Sequence, residues 1–426
     1  MQTTGKQSPG TWWAVNSRWL WGCCGLMVSG WLQAAIVPAA CSDAAPAAGA
    51  GPAYVAALPG YDFTAGIQRW GGGKDRVAVQ TEKTVGRIYI NTLPIFDLAN
   101  AQENNRLYRW VNRVHTFTRP IVIERMLLFR PGDAVHERLL DESERILRRE
   151  KYVSDSSIRV VRECGETVDL EVITREVWSL TPEISLKSIG GDTSGSYGFR
   201  DSNFFGTGKS VSVASKREFE RDKLLLNYND PNYQGKRINL SGQLEINSDG
   251  FDRRFGVSLP FYALDTRRTW GVHFSESELT QSQYVDALKI SALQVQARAA
   301  NMFFGGSPGL VAGVVNRYLF GVQVEQQRYR LLPDEIAPAE LADDLNLAYP
   351  YVEFQQVEDK YKVGFNINQI KRSEDIHLGR TLRARLGYSG WHGERLVTEG
   401  EWHDTWLARD KMLLQSSVDW RGRWNV

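Results

Sequence analysis

The chain lacks an excess of charge of either sign and lacks long apolar runs in most of its length. Lys and Arg number 51 and Asp and Glu number 50, so nothing indicates a nucleic-acid partner, since such proteins carry a basic patch or stripe. After residue 40 no apolar run reaches the roughly 20 residues that a helix needs to cross a bilayer. These absences leave open both a soluble globule and a membrane barrel, whose hydrophobic signal per strand is weak.

Cysteine is also scarce. Cys23, Cys24 and Cys41 lie in or beside the N-terminal apolar stretch, which leaves Cys164 as the only cysteine well inside the mature region. A single cysteine can form neither an internal disulfide nor a metal cluster by itself. We therefore expect a chain that is not stapled by disulfides. The six histidines show no ligand spacing, so we expect no metal site.

Residues 1–40 have the pattern of a secretory signal peptide. Lys6 and Arg18 supply a basic start, residues 19–37 an apolar core, and residues 38–41 a small-residue exit. That order is typical of a cleaved export signal. A retained membrane anchor is the alternative.

The residues after the signal peptide predict a flexible linker over 41–84. Its first part, 42–60, is rich in Ala, Gly and Pro, a composition that does not favour a packed structure. Cleavage after Ala40 would leave Cys41 first, which raises the question of lipidation. Pro38 stands where a lipobox usually has Leu, and this disfavours it.

Residues 85–180 predict a small α+β unit. Its segments have the periodicity of a strand, a helix, a helix, a strand and a strand, in the order 85–90, 118–128, 135–150, 158–162 and 168–173. Pro120 suits the first turn of a helix, and the Pro-Gly pair at 131–132 ends one. The charged cluster at 145–151 is expected to form the solvated face of the second helix rather than a binding patch.

The order of these segments resembles that of a POTRA (polypeptide-transport-associated) domain. The motifs that carry the likeness are the Gly-x-Ile strand, a helix ending in Leu-Leu-Phe-Arg-Pro-Gly-Asp, a helix ending in Ile-Leu-Arg-Arg-Glu-Lys-Tyr, and a Val-Asp-Leu-Glu-Val strand. Together they are moderately specific, although each piece alone is weak.

From residue 183 to residue 426 the periodicity changes to two. Apolar and polar residues alternate in segments such as 238–247, 255–261, 270–275, 361–368 and 382–389. Alternation means one buried face per strand. Many segments run about ten residues, which suits a tilted membrane span, and the polar faces carry Arg, Lys, Glu and Asn. We therefore predict an all-β antiparallel transmembrane β-barrel rather than a soluble sandwich.

The start of this region resembles the first barrel hairpin of the BamA/TamA-type outer-membrane assembly family. The likeness lies in Asn203-Phe-Phe-Gly-Thr-Gly within residues 196–210. Residues 230–233 and 260–267 resemble the following periplasmic turns. The resemblance implies a POTRA-like domain in the periplasm and a barrel in the bacterial outer membrane, 16-stranded in that family.

The resemblance also implies a function. Such proteins insert client polypeptides into the outer membrane or translocate them across it, and the POTRA domain receives an unfolded client by strand addition through main-chain hydrogen bonds. The implied partners are outer-membrane lipids, unfolded clients, and periplasmic chaperones or accessory proteins. A passive channel or structural barrel with a partner-docking domain is the alternative. The implied client-binding edge consists of Ile158, Arg159, Val160, Val161 and Arg162.

Two family features are missing near the end of the chain. The inward-folded loop carries an aliphatic-Arg-Gly-aromatic motif, and its only candidate, residues 420–423, fits neither flank. The final residues 424–426 do not end on an aromatic residue. Roughly a dozen strand-length segments follow Pro182, fewer than the family has. Because an open sheet in lipid leaves edge groups without partners, we expect the barrel to be incomplete; a shorter closed barrel is the alternative.

Residues 206–210, Gly-Thr-Gly-Lys-Ser, imitate a phosphate-binding loop. That motif needs Gly where Asn203 stands, and a helix after it, whereas residues 211–213 continue as a strand. We interpret the segment as a hairpin turn. With no Ser/His/Asp constellation in the sequence, we expect neither an enzyme nor a cofactor.

Overall fold

The computed structural model describes residues 54–55, 83–189, 192–286, 288–333, 341, 343–369, 372–390, 395–408 and 412–425. The predicted signal peptide and most of the predicted linker lie outside these residues. Inside the linker range, strand β1 (Tyr54–Val55) pairs in parallel with Ile88 and Tyr89.

The small unit contains strands β2 to β4 and three helices. In chain order the elements are β2 (Thr84–Leu93), α1 (Arg106–Val114), α2 (Pro120–Glu124), α3 (Glu137–Arg149), β3 (Val153–Cys164) and β4 (Thr167–Glu176). The sheet order is β1-β2-β4-β3, with β2 parallel and β3 antiparallel to β4. The predicted order of elements is found, with one helix more: α1 lies between the first predicted strand and the first predicted helix, where no element was predicted.

The core of the small unit lies between its sheet and helices α2 and α3. Fully buried side chains include Ile88 and Leu170 from the sheet and Leu147 from α3. Pro120 occupies the first turn of α2, where its missing N–H costs no helical hydrogen bond. Removing apolar surface from water is favourable by about 25 cal/mol per Å². Burial of these side chains therefore stabilises the unit.

The remaining strands follow one another along the chain from residue 180. They are β5 (Leu180–Ile189), β6 (Asp192–Asp201), β7 (Ser210–Arg217), β8 (Asp222–Tyr233), β9 (Ile238–Asn247), β10 (Gly250–Leu259), β11 (Arg268–Val285), β12 (Leu288–Gly306), β13 (Leu310–Val311), β14 (Val314–Leu331), β15 (Leu345–Glu358), β16 (Tyr361–Phe365), β17 (Ser373–His377), β18 (Gly379–Ser389), β19 (Arg395–Ala408) and β20 (Met412–Asn425).

These strands form a 14-stranded antiparallel sheet, the large sheet, in the order β5 to β12, β14, β15, β18, β19 and β20, with β13 paired to β14. The order of the strands along this path is their order along the chain, so the sheet is a meander. Of the strands that the structure describes, only β13 and the β16–β17 hairpin lie between consecutive strands of the path. Among the described strands, β5 pairs only with β6, and β20 only with β19. The sheet is consistent with a β-barrel, and the expected incompleteness of a barrel stays a prediction.

One face of the large sheet, the apolar face, exposes large hydrophobic side chains. Phe304 is 64% exposed although it lies mid-sheet, paired with Trp270 and Phe320. The same face carries Ile184, Phe199, Val213, Phe320, Val352 and Leu386, all exposed. A soluble protein rarely exposes a contiguous apolar patch larger than a few hundred Å². The period-two pattern of the sequence therefore produces a sheet that needs an apolar environment on this face.

The other face, the polar face, carries ion pairs across neighbouring strands. Glu353, Arg385, Glu399 and Arg421 lie directly opposite one another on β15, β18, β19 and β20. Arg385 Nε lies 2.7 Å from Glu353 Oε2, and Arg421 Nε lies 3.2 Å from Glu399 Oε1. Opposite charges at directly paired positions stabilise a sheet.

Residues 361–368 were predicted as a strand of the barrel. The prediction of a strand is confirmed for residues 361–365, but its place in the large sheet is wrong. Tyr361–Phe365 forms β16, which pairs with β17 as a separate two-stranded hairpin inserted between β15 and β18. Alternation reports that one face of a strand is buried but not against what. Here the hairpin packs against helix α3 instead of extending the large sheet.

The cysteine prediction also needs correction. Cys164 is disulfide-bonded, whereas the sequence suggested a chain without internal disulfides. The other three cysteines, Cys23, Cys24 and Cys41, lie outside the described residues. In the described part of the chain, no helix is both long and apolar enough to span a membrane.

Candidate client-binding edge

The predicted client-binding segment lies in β3, at the edge of the small sheet. Among the described strands, β3 pairs with β4 alone. Register shifts on either side of Ser154 and Val161 mark two irregularities in this pairing. Bulges of this kind twist an edge and hinder further strand pairing.

The five predicted residues lie together on this strand but point to different surroundings. Ile158 is buried in the core, and Val160 is half-buried against it. Arg159 points to the other side, where its Nη2 lies 2.9 Å from a carboxylate oxygen of the buried Glu171. Val161 and Arg162 are half-buried. Their role in client binding stays a prediction.

Main-chain groups of the edge are occupied by side chains of α3. The Ile158 N–H donates to Glu144 Oε1 at 2.6 Å, and the Ser156 carbonyl accepts from Arg148 Nη1 at 3.0 Å. The Ser156 hydroxyl donates to the Glu144 carbonyl at 2.8 Å. Part of the edge that a client strand would use is therefore already hydrogen-bonded within the chain.

Arg148 is held in place by residues of the β16–β17 hairpin. Its Nε and Nη2 donate to the two carboxylate oxygens of Asp375 on β17, at 2.8 and 2.7 Å. Arg372 donates to the carbonyls of Arg148 and Glu150 at 2.8 and 2.7 Å, which satisfies acceptors left free at the end of α3. Burial is the largest single effect on the pKa of Arg148 and lowers it, but the hydrogen bond to Asp375 and the charges of Asp375, Glu144 and Asp155 together outweigh burial, so the net shift is upward.

This contact corrects the expected role of the charged cluster at 145–151. Arg148 is buried rather than solvated, and the guanidinium of Arg145 stacks 3.8 Å from the ring centre of Tyr361. Arg149 and Lys151 are exposed. The cluster thus joins α3 to the β16–β17 hairpin, which sequence spacing along one helix does not reveal.

Asp155 is a buried acid beside the edge. Burial raises its pKa to about 8, against the opposing effect of Arg148. Its Oδ1 accepts from the Ser156 N–H at 2.7 Å, while Oδ2 has no hydrogen-bond partner among the described residues. A protonated carboxyl suits this site, because a buried charge without a full set of partners is costly.

The turn between β6 and β7 docks on the small unit. The Arg119 N–H donates to the Gly206 carbonyl at 2.9 Å, and the Asn203 amide donates to the Thr118 hydroxyl at 2.8 Å. Asn203 Oδ1 also accepts from the Gly208 N–H at 2.7 Å. The segment that resembled a phosphate loop is thus a hairpin turn, as predicted, and Asn203 stands there because its amide serves both sides of the junction.

The other two predicted turns contact the same side of the small unit. Arg237, after the β8 turn, donates to the Leu127 carbonyl at 2.7 Å. From the turn between β10 and β11, the Tyr262 hydroxyl donates to the Met126 carbonyl at 2.9 Å, and the Leu264 N–H donates to Glu142 at 2.7 Å. Burial raises the pKa values of both Tyr262 and Glu142. Three turns of the large sheet and two helices of the small unit therefore form one interface.

One group of described residues has ligand atoms close enough for a metal ion. These are Glu401, His403 and Asp419, whose ligand atoms lie within 4.8 Å of one another. Glu401 also lies 3.0 Å from Arg383, a cation that competes for the same carboxylate. The group arises from the pairing of β19 with β20, so no spacing in the sequence could show it.

Comparison with known proteins gives matches among solved structures only. No protein-family model matches the chain, and no curated protein matches it. A BamA from Haemophilus ducreyi lacking POTRA domains 1–3 is 13% identical, with a TM-score of 0.33 over 80% of this chain and 56% of that one. CdiB from Acinetobacter baumannii is 14% identical, with a TM-score of 0.36 over 72% of this chain and 50% of that one.

The chain thus spans about half the length of the two solved structures. The resemblance that the Asn203 turn predicted is confirmed to the extent that a BamA is among the similar structures. At these identities and TM-scores we draw no functional argument from either protein.

Proposed function

We propose that the chain is an outer-membrane β-barrel protein that inserts or translocates client polypeptides, with a POTRA-like periplasmic domain at residues 85–180. The observation that carries the membrane part is the large sheet, with exposed Phe304 and Val352 on one face and buried Glu353 on the other. An apolar face toward lipid and a polar face toward a lumen is the arrangement of a membrane barrel. The signal peptide predicted at residues 1–40 fits export to that membrane.

Client handling is supported by the placement of the predicted edge. β3 is the outermost strand of the small sheet on that side, and an extended client adds to a sheet through its main chain. The capping of Ile158 by Glu144 means that a client must displace this carboxylate or pair beyond it, near Val161. We propose that reception of the client begins at this distal half of β3.

A passive barrel with a partner-docking domain is the second candidate. It is favoured by the irregular, hydrogen-bonded edge of β3, since bulges and capped groups are means by which proteins prevent strand addition. The docked arrangement of α3 on the β16–β17 hairpin fits a domain of fixed orientation. The two candidates differ in whether the edge ever binds an extended segment.

Photo-cross-linking separates these candidates. The full chain carries Val161→p-benzoylphenylalanine in lipid bilayers and is offered an unfolded outer-membrane protein, with Glu166→p-benzoylphenylalanine at the far β3–β4 turn as the matched control. Client reception predicts adducts at position 161 but not 166, and a higher yield when Glu144→Ala frees the Ile158 N–H. No client adduct at position 161 in either background, together with ion conductance, would favour the passive barrel.

A further inference from the structure

Helix α1 turns an apolar stripe away from the protein. Leu107, Trp110 and Val114 recur at helical spacing and are 62%, 56% and 45% exposed. The opposite side packs on the segment that precedes the helix: the Tyr108 ring stacks 3.8 Å from that of Phe96, centre to centre, and the Asn112 amide donates to the Phe96 carbonyl at 2.8 Å. The stripe is therefore exposed on a helix whose opposite side contacts Phe96.

The charges of α1 are all of one sign. Its nine residues contain Arg106, Arg109 and Arg113 and no acidic residue. At about 100° per residue, these three arginines lie side by side along one flank of the apolar stripe. A Trp-containing apolar stripe flanked by basic residues is typical of helices that lie in the plane of a membrane surface.

The apolar surface continues from α1 to the first strand of the large sheet. Beyond the end of α1, Phe117 is 42% exposed. Trp178, two residues before β5, and Leu180, the first residue of β5, are 38% and 42% exposed. His115 joins them: its ring centre lies 5.3 Å from that of Phe117 and 6.3 Å from that of Trp178, and its imidazole contacts the buried carboxylate of Glu176. The stripe of α1 is thus tied to the end of the apolar face.

Aromatic residues also cluster around the neighbouring turn between β6 and β7. Phe117 shares a cleft of about 530 Å³ with Phe204, Phe205 and Tyr228. Phe205 is 63% exposed and has a positive φ of 50°, a backbone conformation that is strained for an aromatic residue. Aromatic rings at the level where spanning strands end are the pattern of a membrane interface.

We propose that α1 is an interfacial membrane helix that binds the phospholipid surface beside β5. Leu107, Trp110 and Val114 enter the boundary between headgroups and acyl chains, and the three arginines pair with anionic phosphates. The inference rests on the proposed position of the large sheet in the membrane. It adds that the small unit is held to the bilayer directly by α1, as well as through the turns of the large sheet.

The test is photo-cross-linking to lipid with three variants of the full chain, each with p-benzoylphenylalanine at one position. The chain is reconstituted in bilayers of phosphatidylethanolamine and phosphatidylglycerol, irradiated, and analysed by mass spectrometry. Trp110→p-benzoylphenylalanine probes α1. Phe304→p-benzoylphenylalanine probes the apolar face, and Glu166→p-benzoylphenylalanine probes the turn at the far end of the small sheet.

The proposal predicts phospholipid adducts at positions 110 and 304 and none at 166. It also predicts that Arg109→Gln with Arg113→Gln lowers the yield at position 110 about threefold or more, with position 304 unchanged, because polybasic segments bind anionic lipid. Adducts at 304 with none at 110, or adducts at 110 to protein instead of lipid, would overturn the role of α1. Absence of lipid at position 304 would instead contradict the proposed function.

Discussion

Arg148 and Asp375 form a two-point ion pair that joins helix α3 of the small unit to the hairpin inserted in the large sheet. The Nε–Oδ2 and Nη2–Oδ1 distances are 2.8 and 2.7 Å, and both side chains are mostly buried, at 7% and 12% exposure. The same guanidinium binds the Ser156 carbonyl at the edge of β3. The pair therefore links the candidate client-binding edge to the orientation of the small unit.

Replacing Asp375 by Asn is expected to loosen this junction. Breaking a buried ion pair costs about 3–5 kcal/mol, but Arg148 keeps Glu144 and the Ser156 carbonyl, so we expect about 2–3 kcal/mol. Hydrogen exchange of peptides from α3 and the hairpin measures the loss. The control is Asp222→Asn, which removes an exposed pair with Arg217 worth less than about 1 kcal/mol. Equal exchange in the two variants would contradict this account of the junction.

Because of Asp155, we expect the free energy of unfolding to fall as the pH rises. Its pKa is about 8 in the folded chain and about 3.9 in an unfolded one, so the folded state retains a proton that the unfolded state releases. Its stabilising contribution is complete below about pH 4 and lost as the pH rises through about 8.

Asp155→Asn keeps this site neutral at every pH. We expect the variant to be more stable than the wild type at pH 8 by several kcal/mol, because each unit between the two pKa values is worth about 1.4 kcal/mol, and similar to it at pH 4. Hydrogen exchange of β3 and β4 peptides, followed against urea concentration at both pH values, gives an unfolding midpoint for each chain and so measures this difference in stability. Burial also raises the pKa values of Glu142 and Glu150. The stability of the variant therefore still falls with pH, but less steeply than that of the wild type. A variant that loses stability at pH 8 would show that the carboxylate is needed.

Gly206 and Gly313 form a matched pair of glycines with positive φ, 68° and 79°. A Cβ at Gly206 would clash with the carbonyl oxygen of Phe117, whereas one at Gly313 meets nothing within 4 Å. Gly313→Ala should cost only the left-handed conformation, about 1–2 kcal/mol. Gly206→Ala should cost more and open the junction, seen as faster protease cleavage near residue 117. Equal cleavage in both variants would mean that the turn does not dock there.

Glu353 binds two arginines of β18 and is 2% exposed at its side chain. Glu353→Gln removes the charge that pairs with both Arg383 and Arg385, and we expect a loss of about 3–5 kcal/mol. The urea midpoint of tryptophan fluorescence reports it. Glu401→Gln is the control, because this half-exposed side chain forms an ion pair, among the described residues, with Arg383 only, and a loss below about 1 kcal/mol is expected. A larger loss of stability in Glu401→Gln than in Glu353→Gln would contradict this ranking of the two ion pairs.

Local patterns gave the strands but not their partners. Residues 238–247 were predicted as a strand and form β9 with those bounds, because alternation and flanking turn residues act within the segment itself. Residues 361–365 are also a strand, yet they pair with β17 outside the large sheet. Which neighbour a strand meets depends on residues far along the chain, as the contact of Arg145 with Tyr361 illustrates.

Helix α1 could have been found from the sequence. Asn105 caps its first turn by accepting from the Tyr108 N–H at 2.9 Å, and Leu107, Trp110 and Val114 have helical spacing. The high polarity of the surrounding residues hid this signal. The capping of Ile158 by Glu144 and the grouping of His403 with Asp419 had no local signal, since they depend on packing and on strand register.

The central claim, that the apolar face of the large sheet lies in lipid, is tested most directly by methionine oxidation of the unmodified chain in phospholipid bilayers. Met302 lies on that face, 59% exposed, while Met412 is 55% exposed at the first residue of β20 and Met126 is buried in the small unit. Hydrogen peroxide followed by mass spectrometry compares them. We predict that Met302 is protected in bilayers and Met412 is oxidised. Oxidation of Met302 as fast as Met412 would place this face in water and contradict the account.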